Sequence, residues 1–194
     1  MFRKVILGGI LGAVVLSLWA LFSWHALPWH AMFMNKFKDE SVVYQTIQDN
    51  VDKNGIYVLP CFDTKENTGD DCPCLDQEEN LEERPFIFAM VNLKGVKAFS
   101  FMTYLRFFMF HFTGAALMSY ILLQISGRYG KRVLSVALTG LIIGVVVYLA
   151  GWNWFGSAQG FPFTIIMFAD YFVSWTIMGI FLGAYVKPSK KELA

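Results

Sequence analysis

Charge is what this sequence has least of. Only 16% of its 194 residues are Asp, Glu, Lys or Arg, while 56% are hydrophobic; a soluble domain carries about 25% and about 45–50%. That balance excludes a disordered chain, which stays solvated through charge, and a nucleic-acid binder, which needs a dense basic face. It also argues against an ordinary soluble enzyme. Catalytic signatures are missing as well: the chain has no Walker loop, no G-x-S-x-G elbow, no H-E-x-x-H and no haem-attachment motif. No asparagine of residues 28–98 lies in an N-x-Ser/Thr sequon, which fits a bacterial source.

What the chain has instead is long apolar runs. A membrane-spanning helix needs about 20 mostly apolar residues, and four stretches qualify: Val5 to Leu27, Phe99 to Ile125, Val133 to Ala150 and Phe161 to Val186. The first run is longer than the ~7–15-residue core of a signal peptide, so it is read as a retained span. The fold class expected is an α-helical membrane protein with four transmembrane helices and a small α+β cap, residues 28–98, between the first two.

The sparse charges are sorted by side. Arg3 and Lys4 precede the first span, Arg128, Lys131 and Arg132 fill the loop between the second and third, and Lys187, Lys190 and Lys191 follow the fourth. Four spans place these three segments on one side, and the positive-inside rule makes that side cytoplasmic. Residues 28–98 hold thirteen acids and seven bases and fall on the other side, with Gly151–Gly160. The expectation is a multi-pass protein of a bacterial inner membrane, both termini cytoplasmic and residues 28–98 periplasmic. Trp24, Trp29, Trp152 and Trp154 mark the outer lipid boundary as an aromatic belt.

Within the cap, Ser41–Val51 reads as a helix capped by Asp39 or Ser41, with Gly55 at its end. Ile56–Leu59 and Pro85–Val91 read as the strands of a hairpin. Their connection, residues 61–84, is acidic and holds all three cysteines. In an oxidising compartment a disulfide of Cys61 with Cys72 or with Cys74 is the default, closing about a dozen residues for about 3 kcal/mol in the chain-entropy model. The odd cysteine is free, paired with another chain, or a metal ligand.

Charges inside a span need a partner or a purpose. Arg106 and Asp170 are opposite in sign and lie at similar depth, on the order of 10–14 Å below the outer edge at 1.5 Å per residue. They are expected to pair, with His111 and Ser174 nearby. This is read as an ion pair that fixes packing, or as part of an ion, proton or ligand path. Small residues recur at four-residue spacing in Gly8 and Gly12, Gly140 and Gly144, Gly179 and Gly183, and in Ala115 and Ser119, a pattern that lets helices approach closely. Phe107, Phe108, Phe110 and Phe112 are read as facing lipid or a partner helix.

The sharpest local cluster is Trp24 to Met34, which gathers His25, His30, Met32 and Met34. Imidazole and thioether ligands suit copper; no cofactor is otherwise expected. Pro28 breaks the helix here, so the two histidines do not share a face by periodicity. With its four spans and the Trp24, Pro28, Trp29, His30 end of the first, the chain resembles bacterial four-helix inner-membrane proteins for which no activity is established, and the resemblance implies none. The paired Cys-Gly signature of tetraspanins is absent. The likeness to disulfide-forming quinone reductases stops at Cys72-Pro73-Cys74, which is not C-x-x-C, and at the second outer loop, which has no cysteine.

Three functions remain. The first is a non-enzymatic accessory or assembly subunit of a larger membrane complex, contacting lipid, other subunits or a second copy of itself. The second is a periplasm-facing copper-handling or thiol-redox protein. The third is a small transporter or channel subunit built around Arg106, His111 and Asp170.

Overall fold

The computed structural model describes residues 1–59, 85–97, 99–153 and 160–187. The elements are α1 (Phe2–His25), α2 (Glu40–Asn50), β1 (Gly55–Leu59), β2 (Ile87–Val91), α3 (Phe101–Gln124), α4 (Tyr129–Gly144) and α5 (Phe161–Tyr185). The chain divides into two units: Met1–Asn35 with Phe99–Ala194, and Lys36–Ala98.

The first unit is helical. α4 runs on through a π turn at Val145–Leu149, so the apolar helix covers Tyr129–Asn153. α1, α3, this extended helix and α5 are each long and apolar enough to cross a membrane. Local chemistry sets their ends. Pro28, without an amide hydrogen, lies just beyond the end of α1. The Ser100 hydroxyl accepts the Thr103 amide at 3.2 Å and caps α3. Gly160 takes φ 73° ahead of Pro162, in the first turn of α5, a backbone conformation that favours glycine.

α4 begins four residues before the expected Val133, inside the basic cluster. Cations are unfavourable at a helix N-terminus, but Arg132 turns inward. Its Nε donates to the Gly183 carbonyl at 2.9 Å and its Nη1 to the Gly127 carbonyl at 2.6 Å. It therefore satisfies a carbonyl from the last turn of α5, which has no helical partner of its own. Lys4 Nζ donates to the Lys187 carbonyl at 2.8 Å. The start of α1, the start of α4 and the end of α5 thus share one end of the bundle.

α1 packs along α3, α4 packs along α5, and α1 also meets α5. The core between them includes Leu16, Ala115, Met118, Leu122, Val136, Met178 and Leu182. Small residues set the spacing. A Cβ on Gly12 would lie 2.5 Å from the Ala115 methyl, and one on Gly179 would lie 3.0 Å from Val136 Cβ. Gly8 faces Ser119, Gly140 faces Trp175, Gly144 faces Phe168 and Gly183 faces Val133. All six glycines of the paired motifs lie at helix–helix contacts. Phe112 packs across Gly9 of α1.

The second unit is a helix and a two-stranded sheet. Asp39 caps α2, its carboxylate accepting the Ser41 and Val42 amides at 3.0 and 3.1 Å. β1 and β2 pair antiparallel, Gly55 opposite Val91 and Leu59 opposite Ile87. Gly55 opens β1 rather than ending α2, which stops at Asn50. Asn54 Oδ1 accepts the Leu93 amide at 3.0 Å and ties the open end of the hairpin. Among the described residues of this unit none is buried. Cys61, Cys72 and Cys74, the acidic stretch 61–84, Trp154 and the last seven residues lie outside the described residues, and with them the disulfide expectation.

Candidate functional site

Asp170 lies in the apolar length of α5 and is 6% exposed. An acid in that position needs compensation, and its partners come from α1 and the turn that follows. The Trp19 indole donates to Oδ1 at 2.7 Å, and the Ser23 hydroxyl donates to the same oxygen at 2.8 Å. Trp19 and Ser23 are four residues apart, so one face of α1 carries both donors. The Trp29 indole donates to Ser23 Oγ at 3.1 Å, leaving the serine proton for Asp170.

Pro28 makes this possible. Beyond it the chain turns back, with the Met32 amide bonded to the Pro28 carbonyl at 3.1 Å and a 3-10 turn over Ala31–Phe33. His30 returns to the end of α1 and is 2% exposed. Its ring stacks on Trp24 at 4.0 Å and 6° and meets the Trp29 ring edge-on. Nδ1 lies 3.3 Å from the Ser23 carbonyl oxygen, and Nε2 lies 3.6 Å from Asp170 Oδ2.

This geometry limits where protons sit. A carbonyl only accepts, so Nδ1 carries a hydrogen. Nε2 then faces Asp170 Oδ2 with no hydrogen bond between them.

Arg106 is not the partner of Asp170. It is exposed on α3, whose main neighbour is α1, and no ion pair joins the two among the described residues. Two neutral donors of α1 satisfy Oδ1 instead, and His30 Nε2 faces Oδ2 at 3.6 Å, beyond hydrogen-bond distance. Ser174 does not reach Asp170 either, because its hydroxyl donates to the Tyr171 carbonyl at 2.9 Å. His111 Nδ1 pairs with Ser17 Oγ at 3.0 Å, and its ring meets Phe107 edge-on at 4.4 Å.

His111, Asp170 and Ser174 nevertheless line one cavity of about 260 Å³, partly open, with Trp19, Trp24, Phe107, Tyr148, Tyr171 and Trp175. Tyr148 comes from the π turn, and its ring lies 5.4 Å from that of Tyr171. Such turns recur at functional sites because the extra residue re-aims a side chain.

The four candidate copper ligands differ in their surroundings. His30 turns inward to Asp170, while His25, Met32 and Met34 are exposed. No group of three or more His, Cys, Asp or Glu among the described residues is arranged to hold a metal ion. Trp24 and Trp29, read as interface markers, are part of the Asp170 cluster. Trp19, Ser23, Tyr148 and Tyr171 carry the site without having been singled out from the sequence. The available signal was the Trp19–Ser23 spacing near the C-terminal end of an uncharged apolar run.

No protein-family model matches the chain, and no curated protein or solved structure is significantly similar to it.

Proposed function

We propose that the protein is a multi-pass protein of a bacterial inner membrane and serves there as a non-enzymatic accessory subunit of a larger membrane complex. Its termini are cytoplasmic and residues 28–98 are periplasmic. The segregated charges support this topology, as does the Lys4–Lys187 contact, which suits an even number of spans.

The observation that carries the subunit reading is the unburied second unit. Several of its apolar residues are largely exposed: Met90 is 83% exposed, Ile56 64% and Tyr44 61%. A two-stranded hairpin with one helix is at best marginal in water, and exposed apolar clusters of this kind mark interaction surfaces. A partner that covers this face supplies the missing core. The test is purification from the native membrane in mild detergent. Stoichiometric recovery of one or more membrane proteins is expected; a monodisperse monomer with nothing bound overturns the reading.

A second reading, a transporter or channel subunit, is favoured by the intramembrane carboxylate and its cavity. Replacing Asp170 and His30 together abolishes movement of the transported species in that case, and transport that persists removes it.

A further inference from the structure

The cavity beside Asp170 has an unusual lining for a space among apolar helices. Half of its lining is aromatic, including Trp19, Trp24, Tyr148, Tyr171 and Trp175, with His111 beside them, and Asp170 is the carboxylate among its lining residues. We propose that it binds the ammonium head of an amphiphilic amine or quaternary ammonium compound.

Three observations carry this. Aromatic faces attract cations, and the attraction strengthens when water is excluded. A carboxylate at the same cavity adds opposite charge. Oδ1 already accepts from Trp19 and Ser23, whereas Oδ2 faces His30 Nε2 at 3.6 Å, too far for a hydrogen bond. One oxygen of Asp170 therefore retains capacity toward a cation. An anion, or the carbonyl oxygen of a neutral quinone, meets that same carboxylate unfavourably.

Size then restricts the ligand. At about 260 Å³ the cavity falls below the ~300–1,000 Å³ of a site that encloses a whole drug-sized molecule. It admits a head group and leaves any hydrocarbon chain outside. Such a head belongs either to a phospholipid or to a free amphiphilic amine. The site is independent of the accessory-subunit reading and stands or falls without it.

The test uses the full-length protein in nanodiscs of phosphatidylglycerol, which has no ammonium head, with tetraethylammonium as the probe and tryptophan fluorescence as the readout. Saturable quenching is expected, weakened at least tenfold in Asp170→Asn and absent with 3,3-diethylpentane, the neutral isostere. The isostere comparison is made on the unaltered protein and does not depend on the folding of a variant. Nanodiscs half phosphatidylethanolamine separate the sources. A several-fold weaker apparent affinity there assigns the site to a lipid head group, and an unchanged one assigns it to a free amine. No saturable response, equal quenching by the isostere, or unchanged affinity in folded Asp170→Asn overturns the proposal.

Discussion

Asp170 and His30 face each other across 3.6 Å, while the other imidazole nitrogen is turned to the Ser23 carbonyl. That carbonyl fixes the tautomer. Nδ1 of His30 therefore carries a hydrogen. Nitrogen chemical shifts of histidine-labelled protein in lipid report this directly. A neutral His30 with its hydrogen on Nε2 contradicts the arrangement.

Asp170→Asn and Asp170→Ala separate hydrogen bonding from charge. The amide oxygen of Asn still accepts from Trp19 and Ser23, and its NH₂ faces His30 Nε2 as a donor. Ala leaves the two donors of α1 without an acceptor, each unmet buried group costing about 1–3 kcal/mol. The Ala variant is expected to be less stable than the Asn variant by about 2 kcal/mol or more, read as thermal unfolding midpoints in detergent. Equal midpoints count against the bonding pattern.

Two glycines of one helix have opposite expected outcomes. A Cβ on Gly140 runs into Trp175 and lies 3.0 Å from the Tyr171 carbonyl, whereas a Cβ on Gly130 meets nothing within 4 Å. Gly140→Ala is expected to destabilise by about 1–3 kcal/mol through overpacking. Gly130→Ala is expected to stabilise by up to about 1 kcal/mol through helix propensity. Chemical denaturation in mixed micelles ranks the two against the parent protein. A destabilised Gly130→Ala, or a neutral Gly140→Ala, contradicts the α4–α5 contact.

Arg132 is 6% exposed and holds carbonyls on two sides. Lysine offers a point charge without the planar fork and does not reach both acceptors. Arg132→Lys is expected to lose part of the stability and Arg132→Met about 2–3 kcal/mol, in line with hydrogen bonds from a charged donor. The same melting experiment checks the order, parent above Lys above Met.

The four apolar helices were legible because their length and hydropathy leave few alternatives. The start of α4 was hidden, since Lys131 and Arg132 in its first turn look like loop until Gly183 and Gly127 are seen to accept from Arg132. Asp170 was legible as a costly residue, but its partners were not. Charge counting points to Arg106, the other charged residue within the sequence-derived spans, whereas Trp19 and Ser23 donate to one carboxylate oxygen and His30 faces the other. His30 comes within reach only because the chain reverses after Pro28, and hydropathy carries no sign of where a chain goes after a turn. The same reversal takes His30 out of the copper cluster that its neighbourhood in sequence suggests.

The accessory-subunit reading turns on whether something covers the second unit. Hydrogen exchange of residues 40–50 and 55–59, followed by mass spectrometry, measures this directly in native membrane vesicles and in the purified protein reconstituted in the same lipids. Exchange at least tenfold slower in the native membrane is expected if, as proposed, a partner closes over Tyr44, Ile56 and Met90. Identical exchange in the two preparations contradicts it.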